Sequence, residues 1–288
     1  MNFSTFGIES NEYPPLLREI GSAPMLLHVR GALPDPTLPA VAVVGTRKAT
    51  RDGKELARKT AHELADAGVI VVSGLAMGID TEAHKGALEA GGITIAVLGN
   101  GIGSVYPAQN EKLAAEILSH GGAIISEYGS DEPSYKGRFI ERNRIISGLC
   151  LGVIVIEAPE KSGAISTARF AAEQGRGVFV FPASPHNKNY KGSHELIRDG
   201  ATLVTNVGEV LEDLGLKKSH KLEDQMKELS GDEYKIVSVL KDAGTPIDID
   251  TIIELTTLEP QVASNIIMTL VVEGIIKEGS TGYEISNS

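Results

Sequence analysis

Tryptophan is absent from this 288-residue chain, cysteine occurs once, and aromatic residues make up only 5% of it. The single Cys150, set in the apolar run Leu149-Cys150-Leu151, has no partner for a disulfide or a thiolate cluster, so it is a small core residue and nothing redox follows from it. No apolar stretch approaches the ~20 residues needed to cross a bilayer, and Met1-Asn2-Phe3-Ser4 lacks the basic region and apolar run of a secretory leader. A cytoplasmic protein without membrane attachment is expected. Positive charge is short as well: 27 Lys and Arg stand against 38 Asp and Glu, a formal net charge of −11. Affinity for nucleic acid in general comes from neutralising phosphates. The acidic balance therefore excludes a general nucleic-acid binder, and any such binding must come from a narrow, salt-sensitive basic patch.

What the chain does have is an ordinary hydrophobic content of 42%, 23% charged residues and 32 glycines, the profile of a folded protein with many tight loops. Its length allows one large α/β domain and something smaller. Residues 1–39 are rich in proline, contain one short strand candidate (Met25 to Val29), and read as an N-terminal extension packed on the main domain. From residue 40 to 215 short β-branched runs alternate with helical periodicity: 41–44, 69–72, 94–98, 123–125, 153–156, 178–181 and 201–204, with helices at 53–67, 79–90, 109–120, 138–149 and 164–174 between them. Strands without in/out alternation are buried on both faces, which predicts an extended Rossmann-like, doubly wound parallel sheet. Residues 216–229 read as a charged linker. Residues 230–288, with three helical segments (230–241, 249–255, 261–273) and a hairpin, match a small winged-helix pattern.

In a doubly wound sheet the loops leaving the strand carboxyl ends share one crevice, so the residues just after each strand belong together. The first strand ends in Gly45-Thr46-Arg47. The second ends in Ser73-Gly74-Leu75-Ala76-Met77-Gly78, opening a helix, and the fifth leads to Ser162-Gly163, another helix start. Taken singly, each is ordinary turn and cap chemistry. The stretch 136–144 adds Lys136, Arg138, Arg142 and Arg144 with Phe139 and Asn143 at the exit of the fourth strand. Cations for phosphate and a ring for a base together describe a grip on single-stranded nucleic acid, whereas the basic run alone would read as a solvated helix face.

These residues also carry a resemblance to the DNA-processing protein A (DprA or Smf) family. The matching blocks are Val44-Gly45-Thr46-Arg47, Ser73 to Asp80 with Ala83-His84, Thr94 to Leu98, Tyr106-Pro107, Ser126-Glu127-Tyr128, Phe139 with Arg142-Asn143-Arg144-Ile145-Ile146, and Ser162-Gly163-Ala164, in family order over most of residues 13–214. The resemblance implies a non-catalytic, dimeric Rossmann protein that binds single-stranded DNA in the strand-end pocket, protects it, and helps load the RecA recombinase in natural transformation. It implies that Arg47 and Lys136 contact phosphate, that Phe139 stacks on a base, that Arg142 or Arg144 completes the electropositive pocket, and that Gly45 and Gly74 allow close approach. This chain departs from the family at Pro182-Ala183, where Pro-Gly is usual, and at His194, where Asn is usual.

Other constellations carry blander readings. Asp80 and His84 stand one helical turn apart, but two ligands without a third read as a helix-start carboxylate and a packed histidine, with no metal. Gly99-Asn100-Gly101-Ile102-Gly103 has Ser104 where a dinucleotide loop needs its third glycine, and reads as a turn, so no cofactor is expected. Glu127 and Glu157 follow strands and could act as general acid and base. With no nucleophile nearby, they read instead as carboxylates that hold arginines in place. Over residues 216–288, 7 Lys and Arg face 13 Asp and Glu, and 261–273 contains no cation, which favours a protein-interaction or auxiliary role for the tail over duplex binding. Two alternatives from other classes are an enzyme hydrolysing nucleoside monophosphates at the glycosidic bond, whose Pro-Gly-Gly-x-Gly-Thr signature is absent, and a nucleotide sensor.

Overall fold

The structure, a computed structural model, describes residues 3–130, 132, 135–216, 229–243, 246–273, 275–279 and 282–285, with Lys136, Asp242, Glu278 and Ile285 described by backbone alone. The chain divides into two compact units, 1–217 and 218–288. The linker expected at 216–229 falls almost wholly outside the described residues.

The first unit is organised by its apolar runs. The strands β3 (Ala40–Val44), β4 (Ile70–Ser73), β5 (Thr94–Leu98), β6 (Ala123–Ser126) and β7 (Gly152–Val155) are buried at every position, followed by β8 (Gly177–Val180) and the short β9 (Thr202–Leu203). All seven pair in parallel, in the order β6-β5-β4-β3-β7-β8-β9. Successive side chains of each strand point to opposite faces. Thus Val41 and Val43 pack with α2 (Arg51–Asp66) and α3 (Ile79–Glu89), whereas Ala42 and Val44 pack with α6 (Asn143–Gly148), α7 (Gly163–Glu173) and α8 (Lys191–Arg198). The helix α4 (Glu111–Ser119) covers β5 and β6 through Leu113, Ala114 and Ile117, and α9 (Val207–Asp213) joins the α2 face. At the closest approach of α2 and α3, a Cβ on Gly86 would stand 2.1 Å from the Arg58 carbonyl oxygen, so only glycine permits this backbone contact.

The expectation of an all-parallel sheet needs correction. The N-terminal stretch supplies β1 (Ser4–Gly7) and β2 (Leu26–Gly31), which extend the sheet antiparallel beyond β6 to give nine strands, mostly parallel but mixed. In β2, Leu27 and Val29 are buried while Leu26 is exposed, the alternation of a strand with one covered face. The small helix α1 (Pro15–Arg18) sends Leu17 into the core beside Ile145 and Ile146 of α6. The helix expected at 138–149 is two: α5 (Lys136–Glu141) and α6 meet at Arg142, where the ladder tightens to an Ile145 N–H donating to the Arg142 carbonyl at 2.8 Å.

The second unit contains α10 (Gly231–Ala243), α11 (Ile249–Thr256), α12 (Pro260–Val272) and an antiparallel hairpin of β10 (Ile276–Gly279) and β11 (Gly282–Ile285). Asp248 caps α11 by accepting from the Thr251 N–H, and Pro260 opens α12. Its core is Ile236, Val237, Leu240, Ile252, Ile267, Leu270, Ile275 and Ile276.

Candidate nucleic-acid interface

From β3 the chain winds outward through β4, β5 and β6, then returns to place β7 on the other side of β3. The order reverses between β3 and β7, and the loops leaving their carboxyl ends cannot close over each other, which makes a ligand crevice there. A cleft of about 930 Å³ lies at this point, walled by Val44 to Arg47 on one side and Pro159 to Thr167 on the other. Hydrogen bonds stitch its loops together. The Thr46 N–H donates to the Glu157 carbonyl at 2.7 Å, joining the loop after β3 to the end of β7, and the Ile79 N–H donates to the Thr46 carbonyl at 3.2 Å. Gly78, at φ 86°, lies so close to that carbonyl that a Cβ would stand 2.4 Å from it.

Arg47 is exposed at the mouth and makes no ion pair among the described residues. Its guanidinium carbon lies 5.5 Å from the Phe139 ring centroid, a cation–π contact. Phe139, on α5, is backed by Gly99, where a Cβ would approach the ring to 2.7 Å, and is flanked by Tyr106 at 5.4 Å between centroids. On the far wall Ser162 caps α7 by accepting from the Ala164 N–H, and the helix presents its positive end to the cleft. Asn143 fastens that wall, its amide donating to the Gly163 carbonyl at 3.2 Å and to Ser166 Oγ at 3.0 Å.

Beneath the cleft floor lies a buried charge cluster. Arg142 is 4% exposed and donates to the Gly74 carbonyl at 2.9 Å, to the Val97 carbonyl, and to Asn143 Oδ1. Burial depresses its guanidinium to about 10, with Asp80 opposing the shift and Arg47 adding to it. Asp80 accepts from the Gly74 and Ala76 N–H groups at 3.1 and 3.4 Å. Burial raises its carboxyl, against Arg142 and those two donors. Gly74 separates the two charges: a Cβ there would stand 2.7 Å from an Arg142 nitrogen and 2.8 Å from Asp80 Oδ2. His84 is fully buried, bonded through Nδ1 to Thr94 Oγ1 at 2.7 Å, and burial with the facing Arg142 pushes it down to about 3. An unfolded histidine protonates near ~6.5, the folded one only near 3, so the stabilisation from neutral His84 is complete above 6.5 and is lost as pH falls through that window. Between pH 7 and pH 5 this one group is expected to remove about 2 kcal/mol of stability in urea unfolding, and His84→Gln to flatten that dependence.

The structure brings some predicted site residues together and redirects others. Gly45, Thr46, Arg47, Phe139, Arg142, Asn143, Ser162 and Gly163 all line the cleft. Ser73 does not: it is buried and donates to the Val43 carbonyl at 2.7 Å. The space a Cβ would take at Gly74 is filled by the Arg142 and Asp80 side chains, and at Gly45 by Ile79, where it would meet Cγ1 at 2.5 Å, so both glycines are required by packing, and Gly45 also faces the cleft. Arg142 supports the floor and does not project into the mouth. Arg144 is outside the lining, paired with Glu127 at 2.6 Å, and Arg138 pairs with Glu132 at 2.5 Å and lies over the Tyr128 and Tyr135 rings. Lys136 is the first residue of α5, and its side chain is outside the described atoms. The role given to Glu127 holds, but Glu157 binds no arginine: it accepts from the Thr50 N–H at 2.9 Å and from the Asn189 amide at 3.1 Å, anchoring the start of α2. Asp80 and His84 take the structural roles expected of them, and no group of three or more His, Cys, Asp and Glu among the described residues could hold a metal. His194, one of the two departures from the family pattern, bonds through its ring to the Ala183 carbonyl, the other departure, at 3.0 Å. Sequence reading missed Lys161, Arg169, Tyr106 and Tyr135 in the lining. Arg169 was findable, since Ser162, Ser166 and Arg169 fall at i, i+4 and i+7 on one face of α7.

Fold and cleft define an α/β protein with a mostly parallel mixed sheet and a ligand crevice at its switch point. The chain belongs to the DNA recombination-mediator protein A family, whose sequence profile matches residues 4–215. It is 46% identical over 206 residues to Protein Smf of Escherichia coli, covering 72% of this chain and 55% of that protein, so the chain spans about half the length of this relative. It is 44% identical over 209 residues to DNA processing protein DprA of Streptococcus pneumoniae, with 73% of each covered. The X-ray structure of the pneumococcal protein superposes with a TM-score of 0.68, over 73% of this chain and 74% of that one. DNA processing protein A of Helicobacter pylori, studied for its mode of binding single-stranded DNA, superposes with a TM-score of 0.65 at 33% identity, over 74% of this chain and 95% of that one.

Proposed function

We propose that this chain is a single-stranded DNA-binding recombination mediator that acts by binding rather than by catalysis. The observation that carries the reading is Arg47, an exposed guanidinium lying on an aromatic ring in an otherwise strongly acidic protein. On binding, Arg47 moves from the Phe139 face to a phosphate and the ring face becomes available to a base. Lys161 and Arg169, in the cleft lining, are the further cations offered to the strand, and a phosphate contact by Lys136 is part of the proposal that rests on family membership. The two carboxylates singled out in the sequence as a general acid and base are held by other groups, Glu127 by Arg144 and Glu157 by the Thr50 N–H and the Asn189 amide. Work as a cytoplasmic homodimer that protects incoming DNA and loads RecA recombinase during natural transformation is part of this proposal and rests on family membership. The second unit is read as a winged helix that contacts protein rather than duplex: α12 exposes Val262, Met268 and Val272 and contains no cation. Titrating matched single- and double-stranded oligonucleotides at two salt concentrations tests the central reading. Preference for the single strand, weakening steeply with salt, is expected; equal affinity for duplex, or affinity indifferent to salt, would refute it.

A further inference from the structure

We infer that Tyr106 is a second base-stacking platform, so that the cleft grips two adjoining bases rather than one. The inference rests on the single-stranded DNA reading above and adds a residue to that site. Of the five tyrosines in the first unit, three are tied down. Tyr13 is buried with its hydroxyl donating to the Pro24 carbonyl, Tyr190 is buried, and Tyr128 donates to Glu141 beneath the Arg138 guanidinium. The two left exposed, Tyr106 at 49% and Tyr135 at 53%, both line the same cleft.

The two differ in what covers them. Arg138 lies 4.8 Å from the Tyr135 centroid. The Tyr106 ring touches only Phe139 among aromatic and cationic partners in the described residues, at an interplanar angle of 42° that is a tilted contact rather than a stack, and the residue keeps 49% of its surface exposed. Its hydroxyl makes no hydrogen bond among the described residues, so the ring is placed by packing alone. Phe139 is in the opposite position, with Gly99 behind it and Arg47 over its ring. Before any strand arrives, the ring with an open face is therefore Tyr106, and Phe139 supports it from the side. Stacking on an aromatic ring requires an unpaired base with an accessible face and tolerates any base identity. Two adjoining rings at the mouth would thus select against duplex, whose bases are stacked on each other, without selecting a sequence.

The test uses the full-length chain, an oligo-dT probe, and an abasic oligonucleotide with the same number of phosphates. Tyr106→Ala is expected to bind oligo-dT about 5- to 30-fold more weakly, to bind the abasic probe within about twofold of wild type, and to keep the wild-type slope of log affinity against log salt, because no phosphate contact is lost. Tyr106→Phe, which keeps the ring, is expected to bind like wild type. Since the chain has no tryptophan, Tyr106→Trp places a lone reporter at the site, and its emission is expected to be quenched by oligo-dT but not by the abasic probe. Oligo-dT binding by wild type with no loss in Tyr106→Ala, or equal losses on both probes, would overturn the platform while leaving the parent reading in place. Failure of wild type to bind oligo-dT would overturn both. If the alanine variant does not fold, an unquenched Tyr106→Trp saturated with oligo-dT is itself the refuting result.

Discussion

Replacing Arg142 with methionine is expected to lower the free energy of unfolding by about 3–5 kcal/mol in urea titration. The guanidinium is buried and serves the carbonyls of Gly74 and Val97 and the amide oxygen of Asn143, three acceptors from three elements that would be left without a donor. Asp80 would then stand buried without its cationic neighbour, its charge left to hydrogen-bond donors such as the Gly74 and Ala76 N–H groups. Burial already raises this carboxyl, and loss of Arg142 raises it further. A carboxyl whose folded value lies above its unfolded one loses stability as pH rises between the two. The deficit of the variant relative to wild type is therefore expected to shrink as pH falls toward 4. Arg142→Lys is expected to rescue little, since an ammonium cannot reproduce a planar fork with separate donors to several carbonyls. A deficit under about 1 kcal/mol in Arg142→Met would mean that the cluster under the cleft is not held together by this residue.

At the cleft mouth, Arg47→Ala is expected to weaken single-stranded DNA binding about 10- to 30-fold, the value of one charge-assisted hydrogen bond. It is also expected to reduce the slope of log affinity against log salt by about 0.7, the counterions released by one phosphate contact on a single strand. Phe139→Ala removes a stacking surface, and an affinity loss of about 5- to 150-fold is expected with little change in that slope. Because the guanidinium lies on the ring, the double variant is expected to lose less than the sum of the two. Anisotropy titrations with thermal melts of each variant separate these effects from unfolding. Unchanged affinity in both single variants would mean that the strand is held elsewhere.

How much of this was readable in the chain depends on range. The seven parallel strands were legible because continuous apolar runs such as Val41-Ala42-Val43-Val44 have only one place to go, between two layers of helices. In the N-terminal stretch the candidate at Met25 to Val29 is found as β2, but β1 was not legible, because Ser4-Thr5-Phe6-Gly7 has no pattern of its own and becomes a strand only by pairing with 26–29. The crevice itself followed from strand ends and switch-point topology. The division of labour among its arginines did not follow. Arg138, Arg142 and Arg144 lie within seven residues on two short helices and the joint between them, and the backbone turns each to a different neighbour: Glu132, the buried carbonyls, and Glu127. Those partners come from residues far away in sequence for Arg142, whose acceptors lie 45 and 68 positions off. Arg47 shows the reverse case, a predicted phosphate contact that the fold leaves exposed at the mouth.

The location of the bound strand can be measured directly. An oligonucleotide carrying 5-bromodeoxyuridine, bound to the full-length chain and irradiated, should cross-link to peptides containing Tyr106 and Phe139, with cross-linking suppressed by salt and by Arg47→Ala. Cross-links confined to residues 218–288, or scattered over the first unit away from the cleft between β3 and β7, would contradict the assignment of nucleic-acid binding to this crevice.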